Sequence, residues 1–420
     1  MDEVLKLEIS LNRPRFPSLA TDQLAYVFIE ILPASHVGPK TPDMPLNLAL
    51  VLDRSGSMQG EKIQDLKAAA RLTIEQLSPA DFVSIIAFDE STDVIVPGRH
   101  ADDKGAIITQ IEAINERGGT KMSLGMEQGL QQLQQGHKPG FVSRMILLTD
   151  GETWQDQHLC RQLAQQAGSM GIPITAFGLG DEWNQYLLAD IATLSAGNWE
   201  YIETPEKIVD AFRQVIAAMQ GTRVTNVKVI LRLLTGVRPR QVWRVAPLID
   251  RLEAQAIGEH DVQVGLGDLQ IAGQSLLVEL DFPPRSPGRF RLAQAEVTCD
   301  VPTDGRLGVK CRRDVIVTYS TDQAALHEYD GRIMNIVEKV SAFKMMTRAL
   351  DEREALDAGA RTQRLRSAAT RLLNIGELDL ARRAQDAADQ METGQHLSPG
   401  QTKRLVSETR RLDMSDLLGS

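Results

Sequence analysis

Leu50-Val51-Leu52-Asp53-Arg54-Ser55-Gly56-Ser57-Met58 is the stretch on which the fold turns. An uninterrupted apolar run ends on a carboxylate followed by two hydroxyls at alternate positions, so one strand end presents three oxygen ligands. Open parallel sheets bind ligands in the crevice at the carboxyl ends of their strands. Two further segments bring oxygen to the same edge: Gly118-Gly119-Thr120 ahead of a helical stretch, and Ile146-Leu147-Leu148-Thr149-Asp150-Gly151 at the end of another apolar run. Asp53, Ser55, Ser57, Thr120 and Asp150 together supply two carboxylates and three hydroxyls, with no sulfur or imidazole. That hard-oxygen set suits Mg²⁺, Mn²⁺ or Ca²⁺ and fits zinc and copper poorly.

Around the motif, from Leu46 to Gln220, apolar strands alternate with helix-period segments, the pattern of a parallel sheet covered on both faces. The expected strands are Asn47–Asp53, Phe82–Asp89, Arg144–Asp150, Ile174–Leu179 and Trp199–Ile202, with Asp93–Val96 as an antiparallel edge. The expected helices are Lys62–Leu77, Lys104–Ile114, Ser123–Gln135, His158–Met170, Gln185–Leu194 and Pro205–Met219. Ile63, Leu66, Ala70, Ile74 and Leu77 show the spacing of three and four that makes an apolar stripe. Thr204 before Pro205 marks a helix start, and Gly136, Gly171 and Gly197 are placed just beyond helix ends.

Farther out, the period becomes two. Val4–Leu11 and Leu24–Leu32 read as strands, followed by a linker carrying Pro33, Pro39, Pro42 and Pro45. Alternation returns in Val227–Leu233, Leu276–Phe282, Phe290–Cys299 and Asp314–Tyr319, separated by Pro283-Pro284, Pro287-Gly288 and Asp304-Gly305. The fold expected is therefore α/β: a Rossmann-like, doubly wound, mostly parallel sheet (43–220) inserted in an all-β sandwich built from 1–42 and 221–321. After Tyr319 helical spacing runs through Ile333, Val337, Val340, Phe343, Met346 and Leu350, with further helices at 360–374, 377–392 and 399–413, broken by Gly376, Gly394 and Ser398-Pro399. Residues 322–420 read as a C-terminal helical domain packed on the sandwich.

The chain's 420 residues, 42% hydrophobic and 24% charged, suffice for two or three ordinary globular domains. Its 46 Lys+Arg against 56 Asp+Glu leave −10, which opposes a phosphate backbone, so no nucleic-acid partner is expected. No stretch reaches the ~20 apolar residues of a membrane span, and the charged start Met1-Asp2-Glu3-Val4-Leu5-Lys6 lacks a signal-peptide pattern. Cys160, Cys299 and Cys311 show neither zinc spacing nor a disulfide framework. The expectation is a cytoplasmic protein with free thiols and no membrane partner. The seven histidines are dispersed, with no pair at metal spacing and no order supporting a Ser-His-Asp triad, and no GxxxxGK[ST] loop occurs.

Each piece of the oxygen set also has a purely structural reading. Asp-x-Ser-Gly-Ser can be a helix cap or an Asx-turn, Thr120 the cap region of the Ser123 helix, and Asp150 a turn former before Gly151. Their joint occurrence at successive strand ends of one sheet argues for a ligand site. Asp181-Glu182 and Glu152 read as surface carboxylates near that edge, and Asp89 and Asp93 as structural brackets of a turn.

The DxSxS run, the downstream Gly-Gly-Thr and the strand-terminal Thr-Asp-Gly resemble the metal-ion-dependent adhesion site of the von Willebrand factor type A (VWA) domain. Ala176-Phe177-Gly178-Leu179-Gly180 and the segment from Gly197 to Tyr201 look like the same domain. The resemblance implies that Ser55 and Ser57 touch a Mg²⁺ ion directly, that Thr120 and Asp150 act directly or through water, and that a partner protein's Asp or Glu completes the coordination. It implies a non-enzymatic binding module or scaffold of bacterial intracellular type, with an AAA+ ATPase of the MoxR type as one kind of partner. Two alternatives stay open at this point: a Mg²⁺-dependent hydrolase, for which the sequence offers no general base, and a scaffold binding through its sandwich and helical tail while the metal only braces loops.

Overall fold

The computed structural model describes residues 4–34, 44–138, 140–153, 155–351 and 357–412. The chain opens with β1 (Leu5–Leu11), β2 (Phe16–Pro17) and β3 (Gln23–Pro33). Pro39 and Pro42 of the expected linker, and with them the expected boundary near 42, lie outside the described residues.

The α/β domain comprises β4 (Leu46–Asp53), α1 (Glu61–Gln76), β5 (Phe82–Phe88), β6 (Thr92–His100), α2 (Lys104–Glu112), α3 (Met122–Gly136), β7 (Val142–Thr149), α4 (Gln157–Ser169), β8 (Ile174–Leu179), α5 (Gln185–Leu194), β9 (Asn198–Ile202) and α6 (Ile208–Gln220). Its sheet runs β6-β5-β4-β7-β8-β9 and is parallel except for β6. Strand β4 is buried along its whole length, as a central strand with helices on both faces must be. The chain steps from β4 outward to β5 and β6, then returns to place β7 on the other side of β4. The strand order therefore reverses between β4 and β7, and that switch point opens a crevice at the carboxyl ends of both.

Two local expectations are corrected. Gly136 is the last residue of α3 rather than a stop beyond it, because a side chain there would collide with Phe82 and Asn47. The expected helix Pro205–Met219 is divided: Pro205–Lys207 makes a 3₁₀ turn and the α-helix starts at Ile208.

The sandwich follows as β10 (Thr222–Leu233), β11 (Arg238–Ala246), β12 (Asp250–Leu252), β13 (Gln255–Ile257), β14 (Asp261–Gln270), β15 (Gln274–Phe282), β16 (Gly288–Val301) and β17 (Arg306–Ser320). Two sheets face each other, β1-β3-β15-β11-β12 and β13-β14-β10-β16-β17-β2. Strand β3 pairs antiparallel with β15 from Gln23↔Phe282 to Gln274↔Ile31, and β2 lies parallel to the end of β17. Strands that precede the α/β domain thus complete both sheets around one apolar core containing Val27, Ile29, Val229, Leu276, Val297 and Val317. Cys160, Cys299 and Cys311 are free thiols.

The tail folds into α7 (Gly331–Leu350), α8 (Ala358–Asn374), α9 (Leu378–Glu392) and α10 (Pro399–Arg410). Helix α7 lies on the sandwich, with Phe343 edge-on to Trp243 at 6.3 Å and Arg332 over the Phe28 ring at 5.2 Å. Helix α10 seats instead on the α/β domain: Lys403 is buried and donates to the Asp181 and Trp183 carbonyls at 2.6 and 2.8 Å. The tail therefore grips both domains, where the sequence placed it on the sandwich alone. Among the described residues no helix is long and apolar enough to cross a membrane.

Candidate metal centre

Asp53 ends β4 and Thr149 ends β7 immediately before Asp150, so the switch point brings both carboxylates to one crevice, where each is at most 1% exposed. Asp53 Oδ1 accepts the Ser55 N–H at 2.8 Å, and its Oδ2 accepts the Thr149 hydroxyl at 2.6 Å. The first bond is the Asx-turn that the motif allows, so turn-making and site-building are the same geometry here. Burial pushes the Asp53 carboxyl up to about 6, against the pull of its bonds from Ser55 and Thr149. The Ser55 and Ser57 hydroxyls lie 3.0 Å apart, and Ser57 donates to Asp150 Oδ1 at 2.6 Å. A Cβ on Gly151 would stand 3.5 Å from Thr120 Oγ1 and 3.7 Å from Ser57 Oγ, so these hydroxyls border one space that glycine keeps open. The structure thus brings Asp53, Ser55, Ser57, Thr120 and Asp150 together.

The loops that carry them are fastened to each other. Gly56 N–H donates to the Gly118 carbonyl at 3.0 Å and Arg117 N–H to the Arg54 carbonyl at 2.7 Å, joining the DxSxS loop to the Gly-Gly-Thr loop. Gly118 sits at φ +68°, the left-handed region that favours glycine. Beneath this seam, Arg54 and Arg117 both bind Asp89 Oδ2 (2.7 and 2.9 Å) and Asp93 Oδ2 (2.6 and 2.5 Å). Burial would raise the Asp89 carboxyl, yet hydrogen bonds from Arg117, Ser91 and Arg54 hold it well below the usual carboxylate range. Asp89 and Asp93 are structural, as their sequence context indicates, and their partners are Arg54 and Arg117.

Thr120 does not cap α3. The N–H groups of Met122 and Ser123 are taken by the Thr153 hydroxyl (3.3 Å) and the Asp156 carboxylate (2.8 Å), both from the loop after β7. Thr153 and Asp156, bonded to each other just ahead of α4, thus serve α3 and tie a third loop into the crevice. Asp181 belongs to the α10 seat, accepting from Tyr201 Oη at 2.9 Å and facing Gly400, whereas Glu152 is exposed.

Sequence reasoning passed over Lys62, whose Nζ lies 2.5 Å from Asp150 Oδ2. Of the two buried carboxylates only Asp150 pairs with the lysine, and the side-chain atoms that could ligate an ion are all oxygens, a chemistry that fits a hard divalent cation. Among the described residues no group of three or more His, Cys, Asp or Glu side chains gathers as a metal site, so this centre depends on its hydroxyls.

Comparison with known proteins places this architecture. The von Willebrand factor type A domain family matches residues 47–214, and the family described as Sll0103-like, C-terminal alpha-helical domain matches residues 331–415. The uncharacterized protein sll0103 of Synechocystis sp. is 31% identical over 375 residues, covering 87% of this chain and 88% of that protein. A solved von Willebrand factor type A protein from Catenulispora acidiphila superposes with a TM-score of 0.80 over 96% of each chain at 17% identity. The ArnB paralog VWA2 from Sulfolobus acidocaldarius superposes with a TM-score of 0.60 over 97% of this chain and 98% of that one at 11% identity. A Rossmann-like α/β domain, a flanking sandwich and a docked helical tail, matched along most of their length by sll0103, assign the chain to the von Willebrand factor type A domain proteins that carry an Sll0103-like C-terminal alpha-helical domain.

Proposed function

We propose that the chain is a metal-dependent protein-binding module, in which a divalent cation, Mg²⁺ or else Mn²⁺ or Ca²⁺, is held at the β4–β7 crevice and a partner protein's Asp or Glu completes its coordination. Proteins with this domain typically mediate protein interactions. The observation that carries the reading is an all-oxygen crevice with buried carboxylates at its base and the exposed Ser57, with Thr120 and Gly151, at its mouth.

When bound, the cation supplies a strong electrophile for an external carboxylate. Ser55 and Ser57 would hold it through their hydroxyls, with Thr120, Asp53 and Asp150 around them. The chain's own residues do the rest. Thr149 and the Ser55 N–H fix the Asp53 carboxylate, Ser57 fixes Asp150, and the Arg54–Asp89–Arg117–Asp93 lattice keeps the loops from spreading. The setting that goes with this reading is the bacterial cytoplasm, with the chain as scaffold or adaptor beside an AAA+ ATPase of the MoxR type; both rest on the family resemblance. The test compares proteins captured from the native source by the immobilised chain in Mg²⁺, in excess chelator, and by Asp53→Ala. The same partner should be retained in Mg²⁺ and lost in the other two. Undiminished capture in chelator contradicts the proposal.

A further inference from the structure

Lys62 stands in the first turn of α1, beside the uncapped residue Gly60, where the helix's own N–H groups already make the surroundings positive. The turn's own acidic residue is Glu61, but the carboxylate that pairs with Lys62 is another. It is Asp150, whose side chain is fully buried while that of Lys62 keeps 32% of its surface in solvent, with Nζ and Oδ2 at 2.5 Å. The opposite oxygen, Oδ1, is the one that accepts from Ser57. One carboxylate therefore faces the hydroxyl set with one oxygen and a resident ammonium with the other. The ammonium reduces the formal charge of the Asp53–Asp150 pair, two carboxylates, from −2 to −1.

Lys62 also has somewhere to go. It lines a cleft of about 660 Å³ between the strand ends and helices α9 and α10, whose walls carry Asp181, Glu182, Glu203 and Asp386 beside Arg383 and Arg404, with Glu203 paired to Arg404 and Lys207. A lysine released from Asp150 would meet Glu182 and Asp386 there, and its flexible stem allows the swing.

We infer that Lys62 is a resident counter-cation that competes with the divalent ion for Asp150, so that ion binding is coupled to its release into the α9–α10 cleft. This rests on the metal reading proposed above but assigns a regulating residue to the centre. It follows that Lys62 lowers metal affinity and stabilises the metal-free crevice, opposite effects that a merely structural lysine does not combine.

The experiment titrates full-length chain with Mn²⁺ alone, following free Mn²⁺ by electron paramagnetic resonance, for wild type, Lys62→Met, Lys62→Arg and the double variant Lys62→Met/Ser55→Ala. Lys62→Met should bind Mn²⁺ about tenfold more tightly or better, the scale of removing one close charge competitor near a surface. Lys62→Arg should stay within about threefold of wild type, since the charge remains. The double variant should lose the gain. Thermal melts give the second readout: in chelator Lys62→Met should melt below wild type, because Asp150 is left buried without its cation, and saturating Mn²⁺ should close that gap. Saturable Mn²⁺ binding of equal strength in wild type and Lys62→Met overturns the inference and leaves the metal site standing. Absence of saturable binding in both overturns the metal site and the inference together.

Discussion

Two of the buried ionic clusters among the described residues differ in the partners their charges find. Where the three parts meet, Arg410 of α10 spends every face of its guanidinium: Nε and Nη2 bind Asp250 of the sandwich, Nη2 also binds Asn198 at 2.5 Å, Nη1 binds the Trp199 carbonyl, and the group lies 4.7 Å over the Trp199 ring. Arg244 meets the same Asp250 from the sandwich side at 2.5 Å. At the β4–β7 crevice, by contrast, Ser57 bonds both Ser55 and Asp150, and Lys62 pairs with Asp150 while Asp53 is held by hydrogen bonds alone. The first cluster sets two guanidinium groups on one carboxylate, an excess of positive charge. The second is short of positive charge and has the exposed Ser57 at its edge, the arrangement on which the proposed cation site rests.

That contrast can be broken most strongly at the clamp. Arg410→Met leaves Asp250 buried with Arg244 alone and should lower stability by about 3 kcal/mol, equally in Mg²⁺ and in chelator, as judged by denaturant unfolding. A loss below about 1 kcal/mol would mean that the clamp is ornamental. Next is Asp89→Asn, which strips the lattice of its shared acceptor; about 2 kcal/mol of stability should go, and metal affinity should fall with it because the two loops it joins loosen.

Acid sharpens the comparison. Burial opposes ionisation of Asp250, but Arg410 and Arg244 hold its carboxyl below the usual range. A carboxyl depressed in the folded state contributes stability above its unfolded value of about 4 and loses it as pH falls toward the folded one. The protection of the α10 amides, corrected for intrinsic exchange, should therefore be unchanged between about pH 7 and pH 5 and fall only below about pH 4. Release of α10 already at about pH 5 would contradict the clamp. The smallest stability effect is expected at the crevice: Asp53→Ala removes a carboxylate whose burial is costly, and in chelator should shift stability by no more than about 1 kcal/mol.

The residues that made the fold legible are those with one dominant constraint. Ile174–Leu179 and Gln185–Leu194 are recovered to the residue, because a strand buried on both faces and a helix with a single apolar stripe leave little choice. The segment β11–β14 was not read: its strands are short or polar at exposed positions, and β14 is bent by Gly267 at φ +72° and by register shifts against β10. Strand β2 is two residues long and exists only through its pairing with Tyr319 and Ser320.

The oxygen set was legible because each member follows or precedes a recognisable strand or helix. Lys62, Arg54 and Arg117 were not, since a charged residue in a loop or first helical turn reads as solvated until its partner is known. The partner of Lys62 lies 88 residues away. Thr149 was hidden in plain view as the last residue of an apolar strand. Only the parallel register Leu52↔Leu148, which brings it beside Asp53, shows that its hydroxyl faces that carboxylate.

The account rests on the crevice holding a divalent cation, and calorimetric titration of Mg²⁺ into the wild-type chain and Asp53→Ala, with circular dichroism to show that both are folded, tests that directly. The prediction is one saturable site in the wild type and none in the variant. Saturable binding of equal strength in both proteins, or none in the wild type, would contradict it.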